Sequence, residues 1–197
     1  QRTARKKIDW AVLQCYALFV HKFSVGVFGA SGYAGRELCM LVERHPQLEL
    51  SFAAANAQRG QTARVAGRDV TFVAPEDAQL DKIDLIFSAL PHGASLDWVK
   101  RAHDAGAKVV DLSSDLRPGS DGQLNGLKDI PYGMTELFRD KVRGAQVVAN
   151  PGCYPTSASL ALAPLVKAGL IEPKDIIIDS KSGVSGAGRT PKLTTLF

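Results

Sequence analysis

A seven-residue glycine segment, Gly29-Ala30-Ser31-Gly32-Tyr33-Ala34-Gly35, constrains this chain more than any other feature. It follows the apolar run Phe23–Phe28 and precedes a stretch with Leu38, Leu41 and Val42 on one helical face. That stretch stops at His45-Pro46, because proline has no N–H to donate and clashes with the turn before it. A buried strand, a glycine turn and an amphipathic helix in this order predict the opening crossover unit of a parallel sheet. The alternation continues downstream. Strands are expected over 48–55, 69–73, 82–88, 108–112, 147–149 and 176–179, and helices over 94–105 and 155–167. Gly169 ends the last helix, and 117–125, rich in Gly, Ser and Asp, reads as a loop.

The 197 residues are 45% hydrophobic and 22% charged, enough to bury one sizeable core without a disulfide or metal staple. The net charge of +4 suggests nucleic acid until it is located. Residues 1–22 hold five of the 24 basic residues and one of the 20 acidic ones, which leaves 19 of each in the body. A neutral body has no basic stripe to follow a phosphate backbone, so no nucleic-acid partner is expected. No apolar run reaches the roughly 18 residues of a spanning helix, so a soluble chain without a membrane partner is expected. The Arg-rich, then apolar segment 1–22 lacks a small-residue cleavage site and reads as an extension outside the folded body. Cys15, Cys39 and Cys153 show neither disulfide nor zinc spacing. Scattered thiols fit a reducing compartment, so a cytoplasmic chain without a metal site is expected.

The spacing of the glycine segment is GxxGxxG rather than the commoner GxGxxG, but its flanks are those of a dinucleotide site. Gly29 permits a tight turn, Gly32 lets backbone approach a pyrophosphate at the helix N-terminus, and Gly35 allows close helix–strand packing. Ala30, Ser31, Tyr33 and Ala34 complete the cofactor segment. The second strand ends Ala53-Ala54-Ala55-Asn56, with no carboxylate to grip a ribose 2′-hydroxyl. Arg59 close by offers a cation to a 2′-phosphate, so NADP is preferred to NAD. Ser88-Ala89-Leu90-Pro91-His92-Gly93 follows another strand, where ligands of such sheets bind. Ser88, Pro91 and His92 are therefore assigned to the cofactor, and His92 is given no proton-transfer role.

Cys153 lies in Asn150-Pro151-Gly152-Cys153-Tyr154-Pro155-Thr156, at the start of the expected helix, with Pro155 suited to its first position. A helix N-terminus favours a thiolate, and its free N–H groups can hold an oxyanion, which suits an acyl-transfer nucleophile. Residues 111–117 and 181–189 each combine small hydroxyl residues with an arginine, a plausible anion cradle.

Together, GVFGASGYAG (26–35), ALPHG (89–93), DLSSDLR (111–117), NPGCYPT (150–156) and SGVSGAGR (182–189) resemble the N-acetyl-gamma-glutamyl-phosphate reductase family of arginine biosynthesis. The resemblance runs from about Phe23 to Phe197, in family order and spacing. It implies an α/β fold: a Rossmann-type doubly wound parallel sheet that binds NADP over 23–150. The start of an α+β catalytic domain of the semialdehyde and glyceraldehyde-phosphate dehydrogenase type then occupies 151–197. Cys153 matches the family's catalytic cysteine. The implied reaction is NADPH-dependent reduction of N-acetyl-glutamyl 5-phosphate to the semialdehyde, through a cysteine thioester and with release of phosphate. Ser185 and Gly186 then join the cofactor set, and Arg117, Asn150, Ser182 and Arg189 the substrate set. A homo-oligomer is implied at full length. The family's acid/base histidine falls beyond Phe197, so an incomplete active site is expected. Two other readings stand beside this one. The first is a related semialdehyde dehydrogenase acting on another acyl phosphate, such as the aminoadipyl analogue. The second is a non-catalytic NADP-binding module, which has no use for a thiol at a helix start.

Overall fold

The structure, a computed structural model, describes residues 22–122, 124, 127 and 129–189. The extension 1–22 with Cys15, apart from Lys22, lies outside the described residues, as do 190–197. Alternation along the strands sorts apolar side chains onto two faces of one sheet. In β1 (Phe23–Phe28), Val25 and Val27 join one core cluster and Phe28 the other. Likewise, β2 (Leu48–Ala54) sends Leu50 and Ala53 to the first cluster and Ala54 to the second. Both faces are covered. The first meets Cys39 and Val42 of α1 (Tyr33–Arg44), and the second meets Val99 and Ala102 of α2 (Leu96–Asp104). Strands buried on both sides read as continuous apolar runs, which is why they stood out in the sequence.

The sheet is parallel throughout and runs β2-β1-β5-β6-β7, with β5 at Leu85–Ser88, β6 at Lys108–Asp111 and β7 at Val147–Ala149. Strand order reverses between β1 and β5, so their carboxyl ends open the crevice in which such sheets hold ligands. Phe52 packs across Gly26, where a Cβ would stand 2.3 Å from its ring, beside a register shift between Val25 and Gly26. Among the described residues, no helix is long and apolar enough to cross a membrane.

Several expectations are corrected. Leu41 is 61% exposed, because the buried stripe of α1 is Gly35, Cys39 and Val42. The expected strand 69–73 is half of a hairpin, β3 (Thr62–Val65) and β4 (Arg68–Thr71), turned by Ala66 and Gly67 at φ 48° and 89°. Positive φ at both turn positions matches the twist of paired strands. Val73 instead makes a single parallel bridge to Ala54. The strand expected from 82 begins at Leu85, because Leu80–Lys82 is a 3₁₀ turn and Asp84 accepts the N–H and hydroxyl of Ser24. A short helix, α3 (Thr135–Val142), was not expected; it is kinked at Phe138 and buries none of its described residues. The stretch 176–179 is not a strand, and Ile177 is 95% exposed. A strand exists only against a neighbour that takes its backbone hydrogen bonds, and no described residue pairs with it.

Candidate active site

The glycine segment turns at the carboxyl end of β1. Gly29 has φ 73°, and a Cβ on it would lie 2.4 Å from the Ala89 carbonyl oxygen. A Cβ on Gly35 would lie 2.2 Å from the Gly29 carbonyl oxygen, so this residue sets the helix hard against the turn. Gly32 differs: its added Cβ would meet only the Gly29 oxygen, at 3.3 Å. It is also the N-cap of α1 and supplies no side-chain cap. The N–H groups of the first turn, those of Tyr33, Ala34 and Gly35, therefore have no side-chain cap at the open end of the crevice. The Ala30 N–H is committed to the Ala54 carbonyl at 3.0 Å and its side chain is buried, so Ala30 supports the turn without facing a ligand.

Beyond β2, Arg59 is exposed and donates to Asn56 Oδ1 at 3.2 Å, which keeps the cation beside the carboxylate-free strand end. Gln58, which sequence reasoning missed, accepts the Ser31 hydroxyl at 2.8 Å and ties this loop to the glycine turn. Arg189 reaches the same turn. Its Nη1 donates to the Ser31 carbonyl at 3.1 Å, which sets the guanidinium against the glycine turn.

The loop after β5 is built from behind. Ser88 is fully buried, and its hydroxyl shares a 2.6 Å hydrogen bond with that of Ser95. Ser95 in turn donates to Asp111 Oδ1 at 2.6 Å, while the Ser113 hydroxyl donates to Asp111 Oδ2 at 2.6 Å. A buried carboxylate must have such donors, since an unpaired one would carry a large desolvation cost. This corrects the assignment of Ser88: its side chain faces the interior, where it braces the loop instead of lining the crevice. Pro91 and His92 are exposed, and His92 Nδ1 accepts the Ser114 N–H at 2.8 Å. The neutral ring therefore carries its proton on Nε2.

Cys153 is exposed and is the first residue of α4 (Cys153–Lys167), with Gly152 as N-cap. Pro155 is the third helical residue rather than the first, and the helix begins two residues earlier than expected. Arg117 joins this helix start to the sheet. Its Nε donates to the Asn150 carbonyl at 2.9 Å and its Nη2 to the Leu112 carbonyl at 2.7 Å. Its Nη1 lies 3.1 Å from where a Gly152 Cβ would stand, so glycine there admits the guanidinium beside Cys153. The Asn150 N–H donates to the Asp111 carbonyl at 2.7 Å, which continues the β6–β7 edge into the loop before Cys153. Ser182, Ser185 and Gly186 are exposed in and before a 3₁₀ turn, Val184–Ala187, and a Cβ on Gly186 would meet the Ser182 hydroxyl at 2.8 Å. The other described thiol, Cys39, plays no part here: burial, aided by the Glu43 charge, pushes it up to about 12.

Residues 24–145 match the family described as semialdehyde dehydrogenase, NAD binding domain, and 153–197 match semialdehyde dehydrogenase, dimerisation domain. A protein of Rhodopirellula baltica named N-acetyl-gamma-glutamyl-phosphate reductase is 45% identical over 191 residues, covering 88% of this chain and 55% of its own. One of the same name from Syntrophobacter fumaroxidans is 44% identical over 192 residues, with the same coverage of 88% and 55%. The chain thus spans about half the length of the curated relatives it matches. Among solved structures, aspartate semialdehyde dehydrogenase II of Vibrio cholerae, in complex with ASA, superposes with TM-score 0.64 at 27% identity, covering 75% of this chain and 47% of that one. A parallel sheet with its crevice at the β1–β5 reversal, an exposed cysteine opening the helix after β7, and these matches lead to one assignment: the chain belongs to the semialdehyde dehydrogenase family.

Proposed function

We propose that this chain is the cofactor-binding and nucleophile-bearing part of an NADPH-dependent reductase acting on N-acetyl-glutamyl 5-phosphate. The observation that carries the reading is the place of Cys153. It is exposed at a helix start, and Arg117 and Asn150 tie that start to the crevice edge of the sheet that carries the glycine turn. The names of the relatives, at 44–45% identity, support the same substrate.

The residues present fit a dinucleotide, because the open space at Gly32 and the uncapped first turn of α1 form a cradle that a side chain would fill. Gly29, Ser31, Gly32, Tyr33, Ala34 and Gly35 would hold the pyrophosphate, with Ala30 behind them. Arg59 would meet the 2′-phosphate, and Pro91 and His92 would line the nicotinamide side. Ser185 and Gly186 would close over the cofactor, and Arg189 already touches its turn. When bound, NADPH supplies a hydride. Cys153 Sγ attacks the acyl carbon, a C–S bond forms, and the C–O bond to phosphate breaks. Holding the acyl group as a thioester on Cys153 would present a carbon more electrophilic than that of a carboxylate, and departure of Sγ as thiolate would break the C–S bond and free the aldehyde. The α4 N–H groups stabilise the oxyanion of the first step. Arg117, Asn150 and Ser182 would hold the substrate beside Cys153.

In this reading 23–150 is the cofactor domain and 151–197 begins the catalytic domain. The match of 153–197 to a dimerisation domain supports a homo-oligomer, and the free thiols of Cys39 and Cys153 suit a cytoplasmic enzyme. The test is Cys153→Ser in the full-length protein, followed by phosphate-dependent reduction of NADP by N-acetyl-glutamate semialdehyde. NADPH binding should persist while turnover is lost, because an alcohol cannot supply the nucleophilic anion without a stronger base. Retained turnover would remove covalent catalysis, and turnover with the aminoadipyl analogue alone would move the substrate assignment.

A further inference from the structure

The exposed loop 91–94 lines the nicotinamide side of the proposed cofactor site, yet its shape is held mostly from outside itself. Asp115, half-buried on the turn after β6, directs both carboxylate oxygens at it. Oδ1 accepts the Gly93 N–H at 2.8 Å, and Oδ2 accepts the Ser95 N–H at 3.2 Å. Ser95 is the N-cap of α2 and makes no side-chain cap bond; the carboxylate from the neighbouring turn takes the backbone N–H of this N-cap residue and sits near the helix start. Asp115 is itself fixed. Its N–H donates to the Ser113 hydroxyl at 3.0 Å, and that hydroxyl donates to the fully buried Asp111. The adjacent Ser114 N–H holds His92. At its other end the loop abuts the glycine turn, through Ala89 against Gly29. Arg59 and Gln58, on the adenosine side, are held by Asn56 and Ser31 and are not among the groups Asp115 bonds.

We propose that Asp115 is a positioning residue that sets the 91–95 loop, and with it His92, for the nicotinamide half of the dinucleotide; the proposal rests on the NADPH reading above. Charge-assisted bonds to two backbone N–H groups fix a loop more firmly than neutral ones, and the glycine at 93, with φ 80°, has little rigidity of its own. Because the carboxylate acts on one half of the crevice only, its loss should be felt by one half of the ligand only.

The experiment titrates the full chain, wild type and Asp115→Asn, with NADPH and with 2′,5′-ADP, which has the adenosine phosphates but no nicotinamide. The variant should bind 2′,5′-ADP within about twofold of wild type and NADPH about tenfold more weakly, the scale of one charge-assisted hydrogen bond. A residue that merely stabilised the fold would weaken both ligands alike. Equal loss of both, or loss of neither, overturns the Asp115 proposal while leaving the cofactor reading intact. Wild-type protein that fails to bind NADPH sinks the cofactor reading itself. If circular dichroism shows that Asp115→Asn does not fold, Asp115→Glu is read for the same split; failure of both variants to fold makes the residue purely structural and refutes the proposal.

Discussion

Gly32 and Gly35 sit three residues apart in one turn, and the structure assigns them opposite consequences on substitution. Consider Gly35→Ala. The new Cβ would stand 2.2 Å from the Gly29 carbonyl oxygen, 2.7 Å from its carbon and 2.8 Å from Ala30 Cα. All three are backbone atoms, so the turn itself must yield by close to an ångström. Because only backbone can give way, the overpacking cost falls at the upper end of its usual range, about 3 kcal/mol, offset by the roughly 1 kcal/mol that alanine contributes to helix propensity. A net loss of about 2 kcal/mol should lower Tm by roughly 4–8 °C in a chain of this size. Gly32→Ala is different. Its φ of −71° and ψ of 169° suit any residue, and its Cβ meets one oxygen at 3.3 Å, which need give by only a few tenths of an ångström. The cost should be about 0.5–1 kcal/mol, mostly the preference of an N-cap for glycine over alanine. The methyl would instead occupy the space where a pyrophosphate approaches the helix N–H groups. NADPH affinity should fall at least about tenfold, and Gly32→Val should abolish it. Thermal melts and calorimetric titrations of the three variants decide the matter. A folded Gly32→Val that binds NADPH normally would show the turn to be structural only. A Gly35→Ala with wild-type Tm would refute the packing argument.

Arg59→Ala should narrow the preference for NADP over NAD by roughly 10- to 150-fold, the worth of one charge-assisted contact, and equal affinities in the wild type would defeat the assignment. Iodoacetamide at pH 8 should label the exposed Cys153 and spare Cys39, whose thiolate fraction at a pKa of about 12 is on the order of one in ten thousand; peptide mapping that finds Cys39 modified in the folded chain would contradict this. The same raised pKa makes stability pH-dependent. Below the unfolded thiol value of about 8.5 the contribution is complete, and it is lost at roughly 1.4 kcal/mol per unit as pH rises toward 12. Urea midpoints at pH 8 and pH 10 should therefore fall less steeply for Cys39→Ala than for wild type, and parallel slopes would exclude Cys39 as the titrating group.

Much of the fold was legible because its signals are local. Apolar runs buried on both faces, the GxxGxxG turn and the His45-Pro46 stop each lie within a dozen residues, and they located β1, α1, β2, β5 and β6 to within a few positions. The cysteine at a helix start was equally readable, since glycine and proline mark that start in the chain itself. Where local signals were weak, the reading slipped. Thr62–Val65 has no strand alternation of its own and is a strand because Arg68–Thr71 folds back on it. The isoleucines of 176–178 look like a strand but find no partner among the described residues.

Tertiary structure alone decided which polar side chains face the crevice and which hold it from behind. Ser88 looked like a ligand residue and is buried, Asp115 lay in a segment read as an anion cradle and instead holds backbone N–H groups, and Ser95 and Gln58, which carried no signal, brace the site. The deciding contacts are Gln58 to Ser31, Asp115 to Gly93 and Arg117 to Asn150, which join residues 27, 22 and 33 positions apart. Periodicity encodes which side of a strand or helix is apolar, because that depends on neighbours along the chain. It says nothing about a carboxylate reaching a backbone N–H across a strand crossing, which exists only once the sheet has placed the two loops side by side.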